Sequence, residues 1–425
     1  MLVKRPIERS PFSKTEEQPP KPPALFSMAV LVAALGYFVD IYDLLLFSII
    51  RIPSLQSLHL GNQAILTEGE KIIQWQMWGL VIGGIIWGVM GDKKGRLSVL
   101  FGSILLYSLA NIANGWVQTV DQYKVIRFIA GIGLAGELGA GITLVSELTP
   151  KEKRGIATSL VAGIGLTGAI FAFVMKQHFH WRTCYFAGGG LGIVLLMLRI
   201  SVFESGLFQQ SRKKKLRRGS LWMLVNKKRR LKKYVLSILI GLPTWFVIGV
   251  LVSFSKEFGE HMDISEVIDP GQSIMYCYVG LSVGDIIIGL VSQRLKSRKK
   301  ALFIFYGITT VFMLLYFTAQ WQGSASGMYW ICAGLGFGAG YWAIFVTMAA
   351  EQFGTNLRST AATTIPNMVR GMLAILILPL FQYLRGIADF YTGGWITAAI
   401  IMVITVVAAI RIEETFNKDL NFVER

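Results

Sequence analysis

Long apolar stretches recur along this 425-residue chain, most of them about twenty residues long. A stretch of that length crosses the roughly 30 Å hydrocarbon core of a bilayer as a helix, because lipid leaves no partner for an unpaired backbone group. Twelve segments are expected, at about 26–50, 72–90, 97–116, 122–147, 155–176, 184–202, 234–255, 271–292, 301–320, 326–350, 359–384 and 393–411. They divide six and six around a polar stretch at 203–233. The expected fold is all-α, with twelve transmembrane helices in two pseudo-symmetric six-helix bundles. Composition agrees: 53% hydrophobic residues and 16% charged are too apolar for a soluble domain of this size. The 45 glycines suit close helix packing in lipid.

Charge sets the expected orientation. With the N-terminus inside, the outer loops hold only Arg51, Lys71, Lys124, Lys176, Arg182, Lys256 and Arg385, and most of the 42 lysines and arginines fall in inner loops and tails. The positive-inside bias puts both termini in the cytoplasm, and the expected location is a bacterial inner membrane. The basic runs at 212–218 and 227–233 lie in the inner loop between the halves, where they can touch anionic lipid headgroups. The net charge of +17 is therefore read as topology, and no nucleic-acid partner is expected. Residues 1–25 are polar and rich in proline, which predicts a disordered cytoplasmic tail rather than a signal peptide. The organisation is a tail at 1–25, a bundle at 26–202, a basic linker at 203–233, a second bundle at 234–412 and a tail at 413–425.

Neither metal nor cofactor chemistry is expected. Cys184, Cys277 and Cys332 lie in or beside spans without ligand spacing, and His59, His178, His180 and His261 map to outer loops or span ends. Gly131-Ile-Gly133-Leu-Ala-Gly136 matches a dinucleotide fingerprint, but it follows no strand and reads as a helix-packing face.

Two charged pairs repeat. Glu147-Leu-Thr-Pro-Lys-Glu-Lys-Arg154 closes segment four, and Glu351-Gln-Phe-Gly-Thr-Asn-Leu-Arg358 closes segment ten, about half the chain away. A direct repeat of membrane segments implies two similar bundles facing a central site. Between segments two and three stands Gly88-Val-Met-Gly-Asp92-Lys-Lys-Gly95-Arg96-Leu97, with a worn second copy at Gly289-Leu-Val-Ser-Gln-Arg294-Leu-Lys-Ser-Arg298. With the twelve-segment plan, these motifs make the chain resemble the major facilitator superfamily over residues 26–412, although Leu97 replaces the last basic position of the family's loop pattern. The resemblance implies transport by alternating access, with Gly88, Asp92, Gly95, Arg96, Glu147, Arg154, Asp285, Arg294, Glu351 and Arg358 in the gates. Gly88 admits a close helix approach, Gly95 a tight turn, and Arg96 an ion pair with an acid at the end of segment four or ten. Asp285 lies towards the inner end of segment eight, near Arg294.

Ionisable residues at membrane depth are costly and point to function. Tyr37, Asp40, Asp43 and Phe47 share one face of segment one at helical spacing. Two carboxylates this close do not both ionise easily, which suits carriage of a proton. Arg127-Phe-Ile-Ala-Gly-Ile-Gly-Leu-Ala-Gly-Glu137 in segment four is similar to the metabolite–proton and sugar–proton symporter branches, where a segment-one aspartate works with this arginine. The matching aspartate is Asp43, with Ile41 in place of the usual glycine, so the choice between Asp40 and Asp43 stays open. Glu137, deeper in the same segment, reads as a second proton or substrate contact, and Arg127 alternatively as a headgroup anchor.

Arg370 falls near the middle of segment eleven and keeps its charge there, so it needs an anionic partner: substrate, Asp43 or Glu137. Asn367 beside Pro366 offers directional hydrogen bonds, and Tyr37, Trp245, Tyr276 and Trp342 are further candidates to line the cavity. The expected activity is proton-coupled uptake of a small organic metabolite, with an anionic carboxylate favoured, by a chain working as a monomer. Export or antiport, a neutral, zwitterionic or siderophore substrate, and a transporter-like sensor are the alternatives. Segment five lacks the proline of the exchanger motif, which favours symport, and no catalytic cluster suggests an enzyme.

Overall fold

The computed structural model describes residues 28–94, 96–137, 161–204, 223–224, 226–318 and 324–416. Its helices are α1 (Met28–Ser57), α2 (Asn62–Lys94), α3 (Arg96–Asn114) and α4 (Val120–Leu134). Then come α5 (Val161–His178), α6 (Trp181–Glu204), α7 (Lys228–Val252), α8 (Pro270–Leu295) and α9 (Arg298–Thr318). α10 runs Ala325–Glu351, α11 starts at Thr355–Met372 and continues to Ile387, and α12 is Phe390–Arg411. Among the described residues ten helices are long and apolar enough to cross a membrane, and Ser98–Asn114 is a shorter apolar helix. The expected fourth span is described as far as Glu137, so the structure agrees with the all-α plan of two six-helix bundles.

Some boundaries moved for physical reasons. α2 begins at Asn62, ten residues before the expected apolar run, because Glu68 and Glu70 are ion-paired and do not interrupt the helix. α7 begins at Lys228, inside the stretch assigned to the linker, with Lys233 turned to Glu413. Residues 413–416 lie against the bundle as well: Gln352 Nε2 donates to the Glu413 carbonyl at 2.7 Å, and Glu414 accepts from the backbone N–H groups of Arg298 and Lys299 at the start of α9. Helix starts carry their caps in sequence. Thr119 and Gln122 form a capping box before α4, and Asp269 and Asp389 cap α8 and α12.

The internal repeat appears as two equivalent close crossings. In the first half, a Cβ on Gly79 or Gly83 of α2 would collide with the carbonyls of Phe128 and Ile132 on α4. In the second half, Gly280 and Gly284 of α8 sit equally close to the carbonyls of Ala333 and Phe337 on α10. Paired glycines one helical turn apart let backbones touch, which in lipid replaces the hydrophobic drive to associate.

The bundles meet along α2 with α11 and α5 with α8. Going down α2, Glu70 meets Arg385, Gln74 meets Gln382, Gly84 meets Asn367 and Gly88 meets Thr364, so the two helices run antiparallel in step. Lys176 of α5 meets Asp269 at the start of α8. The face where α1 begins is here called proximal and the opposite face distal.

Candidate functional site

Most buried charges among the described residues fall into four groups. At the centre, between the bundles, Arg370 Nη2 of α11 approaches Asp40 Oδ2 of α1 at 3.4 Å, with side chains 1% and 0% exposed. Arg370 also lies over the Trp245 ring of α7, 5.9 Å from its centroid. Its Nε and Nη1, Asp40 Oδ1 and the Trp245 indole N–H have no hydrogen-bond partner among the described residues. Of the anionic partners expected for Arg370 within the chain, neither Asp43 nor Glu137 is the one it meets. Asp40 takes that role because it lies on the face of α1 turned to the second bundle, whereas Asp43, three residues on, points elsewhere.

Asp43 faces the first bundle. A Cβ on Gly188 of α6 would collide with Asp43 Oδ1, and neither carboxylate oxygen has a hydrogen-bond partner among the described residues. Arg127 is fully buried, so it is no headgroup anchor. Its Nη2 donates to the Asp43 backbone carbonyl at 2.9 Å and not to the carboxylate, while Nη1 and Nε donate to Asn111 at 3.1 Å and Gln76 at 3.3 Å. The guanidinium lies over the Tyr185 ring, 5.5 Å from its centroid. Arg127 and Asp43 are thus neighbours through the α1 backbone.

Glu137 is paired in a way the sequence reading missed. Arg199 of α6 forks onto its carboxylate, with Nη1 to Oε2 at 3.0 Å and a second contact from Nη2 to Oε1. Both side chains are buried. The signal was present: two opposite charges inside the spans of one half need each other in lipid.

The fourth group is distal. Among the described residues three ion pairs cross between the bundles there, Arg51 with Glu257, Glu70 with Arg385, and Lys176 with Asp269. Gln382 reinforces the second by donating to Glu70 at 2.9 Å.

Backbone irregularities surround the centre. A π turn at Val247–Val252 in α7 and another at Leu373–Ile377 in α11 face each other, the Gly249 backbone against the Leu373 side chain. Such widened turns in lipid are tolerated where neighbouring helices re-satisfy the backbone, and they recur at functional sites. α10 breaks at Gly340–Tyr341 and restarts at Trp342. Asp285 Oδ1 accepts from the Ala343 N–H of that new helix start at 2.9 Å, so it serves the positive end of a helix. The expected neighbour Arg294 is exposed in the last turn of α8 and is not its partner.

The remaining candidates separate. Tyr37 stays with the centre: it is buried on α1 between Gly165 of α5 and the Arg370–Asp40 pair. Trp342 meets Trp245 edge to face at 6.4 Å. Asn367 donates to the Ala135 carbonyl across the bundle boundary at 2.7 Å, leaving Oδ1 without a partner. Tyr276 stacks on Tyr329 of α10 at 5.6 Å, away from Arg370. The reason is legible: Tyr276, Gly280 and Gly284 share the face of α8 that packs on α10. Tyr278, on another face, is buried among Tyr37, Asp40 and Arg370, and sequence reasoning passed over it.

Of the gate residues, Gly88 is buried with Thr364 Cγ2 at 3.2 Å from the position of a Cβ. Asp92 lies in the last turn of α2 and Arg96 starts α3. The side chains of Asp92, Arg96 and Arg358, and all of Gly95, Glu147 and Arg154, lie outside the described residues. Glu351 takes a bidentate pair from Arg298 of α9, at 2.7 Å for both bonds. Arg298 is the last residue of the worn second loop motif. No group of three or more His, Cys, Asp or Glu suited to a metal ion occurs among the described residues.

Comparison with known proteins agrees with this architecture. A profile of the Major Facilitator Superfamily matches residues 33–379. The chain is 25% identical over 363 residues to a metabolite transport protein of Haemophilus influenzae, covering 81% of this chain and 86% of that one. It is 25% identical over 376 residues to the niacin transporter NiaP of Acinetobacter baylyi, covering 78% and 81%. In structure it is similar to the proton:xylose symporter XylE, with a TM-score of 0.67 at 16% identity over 93% of this chain and 98% of that one, a likeness of fold. Matched across most of its length and built as paired helical bundles, the chain belongs to the major facilitator superfamily, as a multi-pass membrane transporter and not an enzyme.

Proposed function

We propose that the protein is a proton-coupled symporter that takes up a small organic anion, an aromatic carboxylate, across a bacterial inner membrane with both termini in the cytoplasm. The observation that carries this reading is the buried Asp40–Arg370 pair between the bundles. Removing one partner of a buried pair leaves an uncompensated charge and costs about 3–5 kcal/mol. An anion alone, taking Arg370, strands the Asp40 carboxylate. A proton alone, neutralising Asp40, strands Arg370. Both together leave every charge matched, so anion and proton load as a unit.

The aromatic part of the reading rests on Trp245, whose ring lies against Arg370, with Trp342 beside it. A planar ring stacked there would bring its carboxylate to the unpartnered Nε and Nη1 donors. The name of one relative, a transporter of niacin, supports the same class of substrate. Asp43 and the Glu137–Arg199 pair are further places for a proton.

One monoanion with one proton is electrically neutral. A second proton would add about 2.3 kcal/mol per 100 mV. The test is uptake of radiolabelled benzoate and nicotinate into proteoliposomes under an imposed pH gradient, with and without a 100 mV potential. Accumulation that needs the pH gradient supports symport, and accumulation indifferent to it contradicts symport.

A further inference from the structure

Arg51 repeats the chemistry of Arg370 at the distal mouth. It is 0% exposed, although it lies at the end of the span. A single nitrogen, Nη2, does all its bonding, to Glu257 Oε1 at 2.6 Å and to the Ser253 carbonyl at 3.3 Å. Among the described residues Nε and Nη1 have no hydrogen-bond partner, and neither does Glu257 Oε2. The guanidinium lies over the Phe254 ring, 4.7 Å from its centroid. Gly69 of α2 admits its stem, since a Cβ there would stand 2.6 Å from Arg51 Cδ. Arg370 shows the same arrangement: one carboxylate on Nη2, an aromatic ring of the α7 region beneath, and two nitrogens free.

A latch alone would not need this. A guanidinium presents five donors in a fork matched to a carboxylate, and a pair evolved only to hold would use two of them on both oxygens. The Glu70–Arg385 and Glu351–Arg298 pairs of this protein do so. Burying the remaining donors of Arg51 without an acceptor is costly.

We propose that Arg51 is a second binding site for the carboxylate of the substrate, occupied from the distal side before Arg370. The anion takes the free donors, weakens the Glu257 contact, and so releases one of the three pairs that close the distal face. This rests on the substrate being an organic anion.

The test uses the full chain in nanodiscs with spin labels at Gln63→Cys and Gly386→Cys, both exposed distally on α2 and α11. The distance across the distal face is titrated with sodium benzoate and, separately, nicotinate. Benzoate widens it in the wild type. Arg51→Gln raises the midpoint about tenfold or more, the loss of a charge-assisted contact, while Glu257→Gln lowers it because a competing carboxylate has gone. Arg51→Lys guards against misfolding of the glutamine variant. It keeps the charge facing Glu257 but not the fork, and its midpoint also rises. Equal shifts in one direction for Arg51→Gln and Glu257→Gln, or an unchanged midpoint in Arg51→Lys, would reduce the pair to a latch and overturn the proposal. Arg370→Ala separates the two sites. It abolishes transport on the symport reading yet keeps the distal midpoint within about threefold, as each intact site sets its own affinity. Loss of the distal response in that variant would also overturn the proposal. A wild type that responds to neither anion would instead count against the anionic substrate itself.

Discussion

Arg370 of α11 and Asp40 of α1 are sealed from solvent and stand 3.4 Å apart, one charge supplied by each bundle. Rocking one bundle against the other changes the environment of both groups at once. On the symport proposed above, opening either face depends on how these two charges are matched.

Removing either member should uncouple transport. Asp40→Asn is expected to lose accumulation driven by a pH gradient while still exchanging labelled for unlabelled anion. Arg370→Ala should lose both, since no cation remains to hold the carboxylate. Parallel accumulation and counterflow assays in proteoliposomes separate the two outcomes.

Asp43 makes a separate prediction. Its carboxylate is buried against Gly188 without a hydrogen-bond partner, and only its backbone carbonyl meets Arg127. Asp43→Asn should abolish proton-driven accumulation and spare counterflow. Normal accumulation in that variant would remove Asp43 from the coupling machinery and leave Asp40 alone in it.

The Glu137–Arg199 pair should behave as a buried unit. Either Glu137→Gln or Arg199→Met alone strands a charge and should destabilise by about 3–5 kcal/mol, while the double variant recovers most of the loss. Thermal unfolding of the four proteins in one detergent measures the cycle. Additive losses would mean that the pair is not coupled.

Glu414 supplies a pH signature outside the spans. Partial burial pushes its carboxyl up, but the Ser297 hydroxyl and the N–H groups of Phe416, Lys299 and Thr415 outweigh that and hold it at about 2, below its ordinary 4.5. A lowered carboxyl stabilises the fold above its ordinary value and loses that contribution as pH falls through the lowered one. Glu414→Gln should therefore lower Tm at pH 7, and the gap to the wild type should narrow as pH falls from 4.5 towards 2. A gap independent of pH would refer the effect to packing.

Much of the fold was legible because lipid imposes length and apolarity on every span. The backbone exceptions were less so. The π turns in α7 and α11 and the break in α10 arise from contacts with neighbouring helices, which no local pattern encodes. At the site, charge at membrane depth picked out Asp40, Asp43, Arg127, Glu137 and Arg370. Pairing was harder, because three residues of α1 separate a carboxylate facing the other bundle from one facing its own. Glu351 illustrates the same point at the proximal face, where the fold brings it Arg298 of α9, 53 residues away in the chain.

Proton uptake on binding is the most direct measurement. Benzoate or nicotinate is added to the purified wild type in weakly buffered solution near neutral pH, and protons taken up per bound anion are counted with an indicator dye. If the anion displaces Asp40 from Arg370, about one proton enters with each anion, and fewer enter in Asp40→Asn. Anion binding by the wild type with no proton uptake would contradict the shared use of Arg370.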